Sequence, residues 1–446
     1  MATATATTPQ TDGLSVGEHT LPASWWTSPE IYEVEKRAIF FKSWMFIVHE
    51  SRLTKPGDYL SYTVAGLNFF VIKNKAGQVN AFHNVCRHRA YPVVKKEQGS
   101  ALVLGCRYHG WSYNTDGNLT KAPHFDNVQG FDKAQNGLYP IRTHTTDQGL
   151  VFLSFDATEE GPMPFDEWFK GLQTEMHEYD FSDYEYHMSY ELDGQFNWKT
   201  LMDGYQECYH CPTAHPGLSK AFKMPTYKVV PKDRWCRHYA QIIKPDELPT
   251  KKPAAVPATQ ESSGWFGFGN KPETAAAPAP ADDKVTNRGG SFDGLWMYLF
   301  PTNGINCYSP AWYSIRVVPI TPTRTILQYD IYKKKGIDQA EIDDFVEFLQ
   351  QVEIEDFDLC EATQKNLNTG VYSTGFLHPE KERGVLFYQN MVRDLVVSHL
   401  EKEEKAGQQI NVAKIGSAST EGQKLEGICK SLQCTSEAAK SEVLAW

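Results

Sequence analysis

Two short clusters of cysteine and histidine set the tightest limit on how this chain folds: Cys86-Arg-His88 and Cys106-Arg-Tyr-His109. The stretch between them, residues 89–105, carries lysines and glycines and suits a hairpin excursion. Gly105 and Gly110 flank the second pair, where a tight turn needs a residue without a Cβ. Two thiolates and two imidazoles brought together by two turns make a metal site. Zinc is one occupant, but zinc fingers usually pair Cys with Cys and His with His. A mixed-ligand [2Fe–2S] cluster suits the pattern better. Its two Cys hold one iron and its two His the other, so each turn supplies one ligand to each iron.

Around these pairs, short apolar runs alternate with turn residues from Trp44 to Phe155. Examples are Asn68–Ile72, the Lys75-Ala-Gly77 turn, Asn114-Thr-Asp-Gly117 and Gly149–Phe155. This reads as a small antiparallel β domain over residues 44–156. Residues 1–43 precede it. Their Ala/Thr-rich start, to Gly13, is expected to lack fixed structure. A helix then starts at Ser28-Pro29-Glu30 with a capping hydroxyl, a first-turn proline and an acid, and runs through Phe40 and Phe41.

A second histidine cluster lies in Asp203-Gly-Tyr-Gln-Glu-Cys-Tyr-His-Cys-Pro-Thr-Ala-His215. Glu207 and His210 are three apart and share a face on a helix. His215 is five beyond His210 and, at about 100° per residue, points away on an unbroken helix. Pro212 is expected to bend or stop that helix, which can bring both imidazoles to one point. The competing reading is two ordinary histidines at a helix end. Cys208 and Cys211 would also suit a soft metal, but are read as packing or passive thiols.

Further on, Trp296–Phe300, Trp312–Val318 and Thr325–Tyr332 mostly alternate and read as antiparallel strands. A long acidic helix follows from about Asp338 to Asn366, with Phe345, Phe348, Val352 and Leu359 at roughly helical spacing. It offers Glu353, Glu355, Asp356, Asp358 and Glu361 as a carboxylate for a site with two histidines, and spacing does not choose among them. The fold class is therefore α+β. An antiparallel β domain is followed over residues 157–400 by an antiparallel sheet flanked by helices. Within the second part, residues 246–290 are rich in Pro, Ala, Lys and Ser and are expected to form a loop largely without fixed structure. Gly264-Trp-Phe-Gly-Phe268 inside it is a surface anchor or a flap near the substrate entrance. Residues 401–446 form a charged tail with no assigned role.

Composition narrows the partners. A chain of 446 residues with 41% apolar content suits two or three domains with real cores. A net charge of −11 argues against nucleic-acid binding. Nine cysteines in this length do not make a secreted disulfide scaffold. No signal peptide, Arg-rich transit peptide or transmembrane run is visible. The expectation is a soluble cytoplasmic protein.

Cys86-x-His88, a spacer of this length, and Cys106-x-Tyr-His-Gly-Trp111 followed by Asn114-Thr-Asp-Gly-Asn-Leu119 resemble the Rieske domain of ring-hydroxylating-type oxygenases. The resemblance covers residues 25–400 apart from the insert. It implies a Rieske [2Fe–2S] cluster on Cys86, His88, Cys106 and His109, with Trp111 packing beside it. It also implies a helix-grip-like catalytic domain with a mononuclear Fe(II) on His210 and His215. Glu355-Asp-Phe-Asp-Leu359 matches the family's pattern for the third ligand, with Asp356 first and Asp358 second. Glu207 takes the place of a residue that links the iron to a cluster histidine of the neighbouring subunit, which implies a head-to-tail homotrimer. Asp203-Gly204 departs from the family's Glu-Asn.

The sequence lacks a Gly-rich dinucleotide fingerprint and a second Cys quartet, so electrons must come from a separate reductase or ferredoxin. Tyr205–Pro216 and Cys360-Glu-Ala-Thr-Gln364 look most like the branch that includes choline monooxygenase and quaternary-ammonium demethylases. The resemblance implies O2-dependent hydroxylation of choline to betaine aldehyde hydrate. The alternatives are N-demethylation of glycine betaine or carnitine, ring hydroxylation, or, in another class, a Rieske electron carrier without oxygenase activity. A quaternary ammonium is held by aromatic faces, and Trp296, Tyr298, Tyr308, Trp312 and Tyr313 are the candidates for such a cage.

Overall fold

One strand shows how the first domain is built. In Leu67–Lys73 of the computed structural model, Phe69, Phe70, Val71 and Ile72 are all fully buried, yet alternate residues enter different cores. Phe69 and Val71 join the large core that continues into the second half of the chain. Phe70 and Ile72 join a small core containing Cys86, Cys106, Trp111 and Tyr113. Period-two geometry thus puts the main core on one face and the Cys/His turns on the other. The structure describes residues 18–243 and 294–416. The Ala/Thr-rich start, the 246–290 insert with Gly264–Phe268, and the tail beyond residue 416 lie outside the described residues.

The sheet of the first domain has seven antiparallel strands. Their order is Met45–His49, Leu150–Ser154, Pro140–Thr145, Val79–His83, Leu67–Lys73, Asp58–Val64 and Gln98–Ser100. A three-stranded sheet, Val103–Gly105, Ser112–Asn114 and Leu119–Lys121, stands beside it. The second domain has another seven-stranded antiparallel sheet. Its order is Tyr184–Gly194, Arg324–Lys334, Ala311–Thr321, Asn303–Cys307, Leu295–Leu299, Trp235–Ile242 and Phe222–Pro231. The α+β expectation holds. Four of these strands were not anticipated: Tyr184–Gly194, Phe222–Pro231, Trp235–Ile242 and Asn303–Cys307. The first two are edge strands whose faces are largely polar or half-buried, and Asn303–Cys307 is short and rich in Asn and Gly.

Helices cover the second sheet. The acidic helix spans Gln339–Leu367, capped by Asp338, but its buried face is Ile342, Leu349, Glu353, Cys360, Gln364 and Leu367. Leu359, expected on the apolar side, is exposed. Two polar residues on the buried stripe displace the apolar period: Glu353 and Gln364 find hydrogen bonds inside. Gln364 Oε1 accepts the Asn197 backbone N–H at 2.9 Å, which ties the long helix to the start of the Trp198–Tyr205 helix.

The N-terminal helix forms where its cap is. Ser28 Oγ accepts from the N–H groups of Glu30 and Ile31, and the helix Pro29–Glu35 continues as a π-turn, Lys36–Phe40. It packs into the second domain. Lys199 Nζ lies 2.6 Å from Glu35 Oε1 with neither side chain exposed. Trp198 Nε1 donates to Glu35 Oε2 at 2.8 Å. The helix Arg383–Ala406 also extends past residue 400, where a tail without a role was expected. Glu403 accepts from Arg37 Nε and Nη2 at 2.7 and 2.9 Å, so this part of the charge run holds the fold. Asn303 joins the two domains by hydrogen bonding both the N–H and the C=O of Phe46.

Candidate metal centres

The two Cys/His turns share one backbone plan. Cys86 N–H donates to Tyr91 O and Ala90 N–H returns to Cys86 O; Cys106 N–H donates to Trp111 O and Gly110 N–H returns to Cys106 O. Both turns close through a left-handed residue, Ala90 at φ 56° and Gly110 at φ 74°. Glycine takes that conformation without strain; Ala90 holds it against its Cβ. The two thiols are buried, while His88 is half-buried and His109 exposed. The imidazoles converge, with Nδ1 to Nδ1 at 3.1 Å. Trp111 stacks on His88 at 5.0 Å and 11°, the packing role expected of it. Tyr113, fully buried, places its hydroxyl 3.3 Å from Cys86 Sγ and accepts the Arg87 N–H. The sequence reading passed over this residue; its place on a strand leaving the second turn was the available signal.

The second cluster closes as well. His210 Nε2 and His215 Nε2 lie 3.2 Å apart. Asp356 Oδ1 stands 3.1 Å from His215 Nε2 and 3.3 Å from His210 Nε2. Asp358 points out and is exposed. The other ring nitrogens are also taken: Glu207 Oε1 contacts His210 Nδ1, and Glu355 Oε2 lies 2.9 Å from His215 Nδ1. Burial works against charge on both imidazoles, yet hydrogen bonds with Asp356 and Glu207 hold His210 up to about 10, and Asp356 and Glu355 raise His215. Burial would raise the Asp356 carboxyl, but the two histidines override it and lower it. Three carboxylates around two imidazoles make a pocket that favours a cation.

The local route to this geometry differs from the expectation. The helix Trp198–Tyr205 ends before Glu207, so Glu207 and His210 share a turn and not a helix face. Glu207 accepts the N–H groups of Tyr209 and His210, which fixes the turn. Pro212 stops nothing; it opens the short helix Cys211–Ala214, because a first-turn proline has no N–H to lose. Cys208 and Cys211, expected as passive thiols, form a disulfide.

Residues 43–132 match the Rieske [2Fe-2S] domain, and residues 181–398 match the catalytic domain of the ring hydroxylating alpha subunit. The carnitine monooxygenase oxygenase subunit of Acinetobacter baumannii is 27% identical over 383 residues, which is 84% of this chain and 94% of that protein. The chloroplastic choline monooxygenase of Spinacia oleracea is 27% identical over 373 residues, 82% of this chain and 76% of that one. This chain belongs to the Rieske non-haem iron oxygenases.

A solved structure of the quaternary ammonium Rieske monooxygenase CntA with its substrate L-carnitine superposes on the oxygenase with a TM-score of 0.68 at 25% identity, covering 85% of this chain and 96% of that one. The oxygenase thus carries a Rieske [2Fe–2S] cluster and a mononuclear iron, and the reading as an electron carrier without oxygenase activity is set aside by the catalytic-domain match. The donor sets fit both groups. Two buried sulfurs and two imidazoles near the surface suit a cluster whose His-held iron faces outward. Two imidazoles and one carboxylate converging from one side suit iron with open positions. No helix among the described residues is long and apolar enough to cross a membrane.

Strand register sorts the five aromatic candidates. Trp296, Asn306 and Tyr313 are directly opposite one another on neighbouring strands and share the face toward the long helix. Trp312 lies on the other face, stacked on Tyr332 at 3.9 Å and packed against His49, so it leaves the cage. Tyr298 is buried, donates to Pro301 O and packs on Tyr388; it is a core residue. Trp296, Tyr308 and Tyr313 do form a corner, with Tyr308 edge-on to Trp296 at 5.6 Å and nearly parallel to Tyr313 at 6.2 Å. Phe345 closes it against Tyr308 at 5.4 Å. Behind Tyr313 lies Glu353, one turn before Asp356 on the same helix. It accepts from the Tyr313 hydroxyl at 3.2 Å and the Tyr329 hydroxyl at 2.6 Å. Burial and the neighbouring Asp356 raise its carboxyl to about 7.

Proposed function

We propose that this oxygenase inserts oxygen into a small quaternary ammonium compound. Choline, hydroxylated to betaine aldehyde hydrate, and carnitine or glycine betaine, N-demethylated, are the candidate substrates. The observation that carries this reading is the aromatic corner of Trp296, Tyr308 and Tyr313 backed by the Glu353 carboxylate, one helical turn from Asp356. A quaternary ammonium has no hydrogen to donate and is held by π faces and by nearby negative charge. Tyr313 supplies the face, and its hydroxyl donates to Glu353, whose ionised form would make that ring a better partner for a cation.

On this reading Cys86, His88, Cys106 and His109 hold the cluster, and His210, His215 and Asp356 hold the iron. When bound, the cluster supplies single electrons and the ferrous ion a place for O2 to be reduced, one oxygen atom entering the substrate and the other leaving as water. Glu207 and Glu355 orient His210 and His215 through their Nδ1 atoms. Glu207 also serves as the link to a cluster histidine of a neighbouring subunit in a homotrimeric ring, and a separate reductase or ferredoxin delivers electrons.

The test is oxygen uptake by the holoenzyme with a chemical or enzymatic reductant, across choline, glycine betaine, L-carnitine and simple aromatics. Uptake coupled to loss of a trimethylammonium compound supports the reading; coupled oxidation of the aromatics alone overturns it.

A further inference from the structure

We infer that the Cys208–Cys211 disulfide controls which metal the second centre takes: opened, it frees Cys211 as a soft donor beside His210 and His215, and the pocket becomes a site for zinc. The inference rests on the reading of His210 and His215 as iron ligands and adds a redox condition to it.

The sulfur stands where a ligand would. Cys211 follows His210 directly, and its Sγ lies 3.9 Å from His210 Nε2, the nitrogen that faces His215 and Asp356. The ligand atoms of His210, Cys211 and His215 all lie within 4.8 Å of one another. With Zn–N and Zn–S bonds of ordinary length, two donors on one tetrahedral zinc stand roughly 3.3–3.5 Å apart. The imidazole pair, at 3.2 Å, is already there. The sulfur needs a shift of about half an ångström. Its backbone is fixed relative to both histidines, because the His215 N–H and the Ser219 hydroxyl donate to Cys211 O at 2.9 and 3.2 Å.

As a staple the bridge adds little. It joins residues only three apart, and a cross-link over so short a loop removes little chain entropy. The turn is held without it: Glu207 accepts the Tyr209 and His210 N–H groups, and His210 O accepts those of Thr213 and Ala214. What the bridge changes is the chemistry of the sulfur. Metals bind thiolates, and a sulfur bonded to Cys208 has no thiolate to offer. With the bridge closed, the donors are two imidazoles and a carboxylate, a set that leaves positions open and suits iron. With it open, a thiolate joins two imidazoles, a set that suits zinc and fills a position the iron chemistry needs free.

Exposure sets the direction of opening. Cys208 is half-buried and Cys211 is buried, so a dithiol reductant meets Cys208 first. Its thiolate attacks Cys208 Sγ, the S–S bond breaks, and Cys211 leaves as a thiolate beside His210 Nε2. The second thiol of the reductant then attacks the mixed disulfide. Cys208 is released as a thiol and the reductant leaves as a cyclic disulfide. Two electrons reach the protein; of the two thiol protons, one goes to Cys208 and one to solvent when Cys211 stays on the metal.

The experiment uses the full chain with its cluster loaded, followed by absorbance, and with the mononuclear site stripped by a chelator. Zinc is titrated into the disulfide form and into protein treated with a dithiol that is then removed without air. Alkylation and mass measurement report the state of the bridge. Opening is expected to tighten zinc binding by about 100-fold. It should also add a sulfur at about 2.3 Å to the zinc shell in X-ray absorption. Cys208→Ser is expected to bind zinc tightly and through sulfur without any dithiol. Cys211→Ser is expected to bind it weakly and without sulfur in either condition. Equal affinity in the two wild-type forms, no sulfur in the shell of Cys208→Ser, or sulfur persisting in Cys211→Ser overturns the inference and leaves the iron ligands standing. Failure of zinc to bind in any form overturns both.

Discussion

His215 has both ring nitrogens held by consecutive residues of one helix: Nδ1 lies 2.9 Å from Glu355 Oε2 and Nε2 lies 3.1 Å from Asp356 Oδ1. Gln351 in turn donates to Glu355 Oε1 at 2.9 Å, one turn earlier. A carboxylate on the far nitrogen fixes the tautomer and makes the near nitrogen a better ligand. Glu355→Ala is expected to weaken iron binding by about 10- to 100-fold, the usual effect of losing such a partner. Titration of the apoprotein with ferrous ion measures it, and the Rieske EPR signal should not change. Wild-type affinity in the variant would show that Glu355 is a bystander.

Glu207 holds His210 on this side and, in the proposed ring, a neighbouring subunit's cluster histidine on the other. Glu207→Gln keeps the shape and removes the charge. Both metals should remain, while electron passage between them slows sharply. A single-turnover experiment on prereduced protein separates these effects; product formed at the wild-type rate would count against the linking role.

Lys199 and Glu35 pair at 2.6 Å with no exposed side-chain surface, joining the N-terminal helix to the helix that leads into the iron site. Lys199→Met leaves the Glu35 carboxylate buried without its counter-charge. Breaking a buried pair in this way costs about 3–5 kcal/mol. A large fall in the urea midpoint is expected, and the double variant Glu35→Leu, Lys199→Met should recover much of it.

The Arg37–Glu403 pair sets an acid limit. Burial would raise the Glu403 carboxyl, but the Arg37 guanidinium and the Ile410 N–H override it and hold it down to about 2, against 4.5 unfolded. A folded-state value below the unfolded one gives stability that is complete above pH 4.5 and lost as pH falls toward 2. Arg37→Met should therefore melt at lower temperature at pH 7 and show a shallower loss across that acid range. Parallel melting curves against pH for variant and wild type would remove this assignment.

How much was legible follows from the range of the interactions. The Cys86/His88 and Cys106/His109 turns, the Ser28 cap, the long helix and the three alternating strands are written within a few residues each. Backbone sterics and local hydrogen bonds determine them, so residue type and spacing carry the information. The same locality misled at Pro212. The residue restricts its own N–H and the residue before it, and that restriction serves a helix start as readily as a helix end.

The rest depended on packing between distant segments. Glu355 is 140 residues from His215, and its place among several acids on one helix gave it no mark in the sequence. Glu353 looked like part of a solvated face until two strand tyrosines closed over it. Trp296 and Tyr313 have no shared motif; only the register of three strands sets them on one face. By itself the amino-acid order determined which donors lie at the turns and which segments become helix or strand. The tertiary structure alone decided which carboxylates meet the histidines, because side-chain convergence across a hundred residues is a property of the packed core and not of any short stretch of chain.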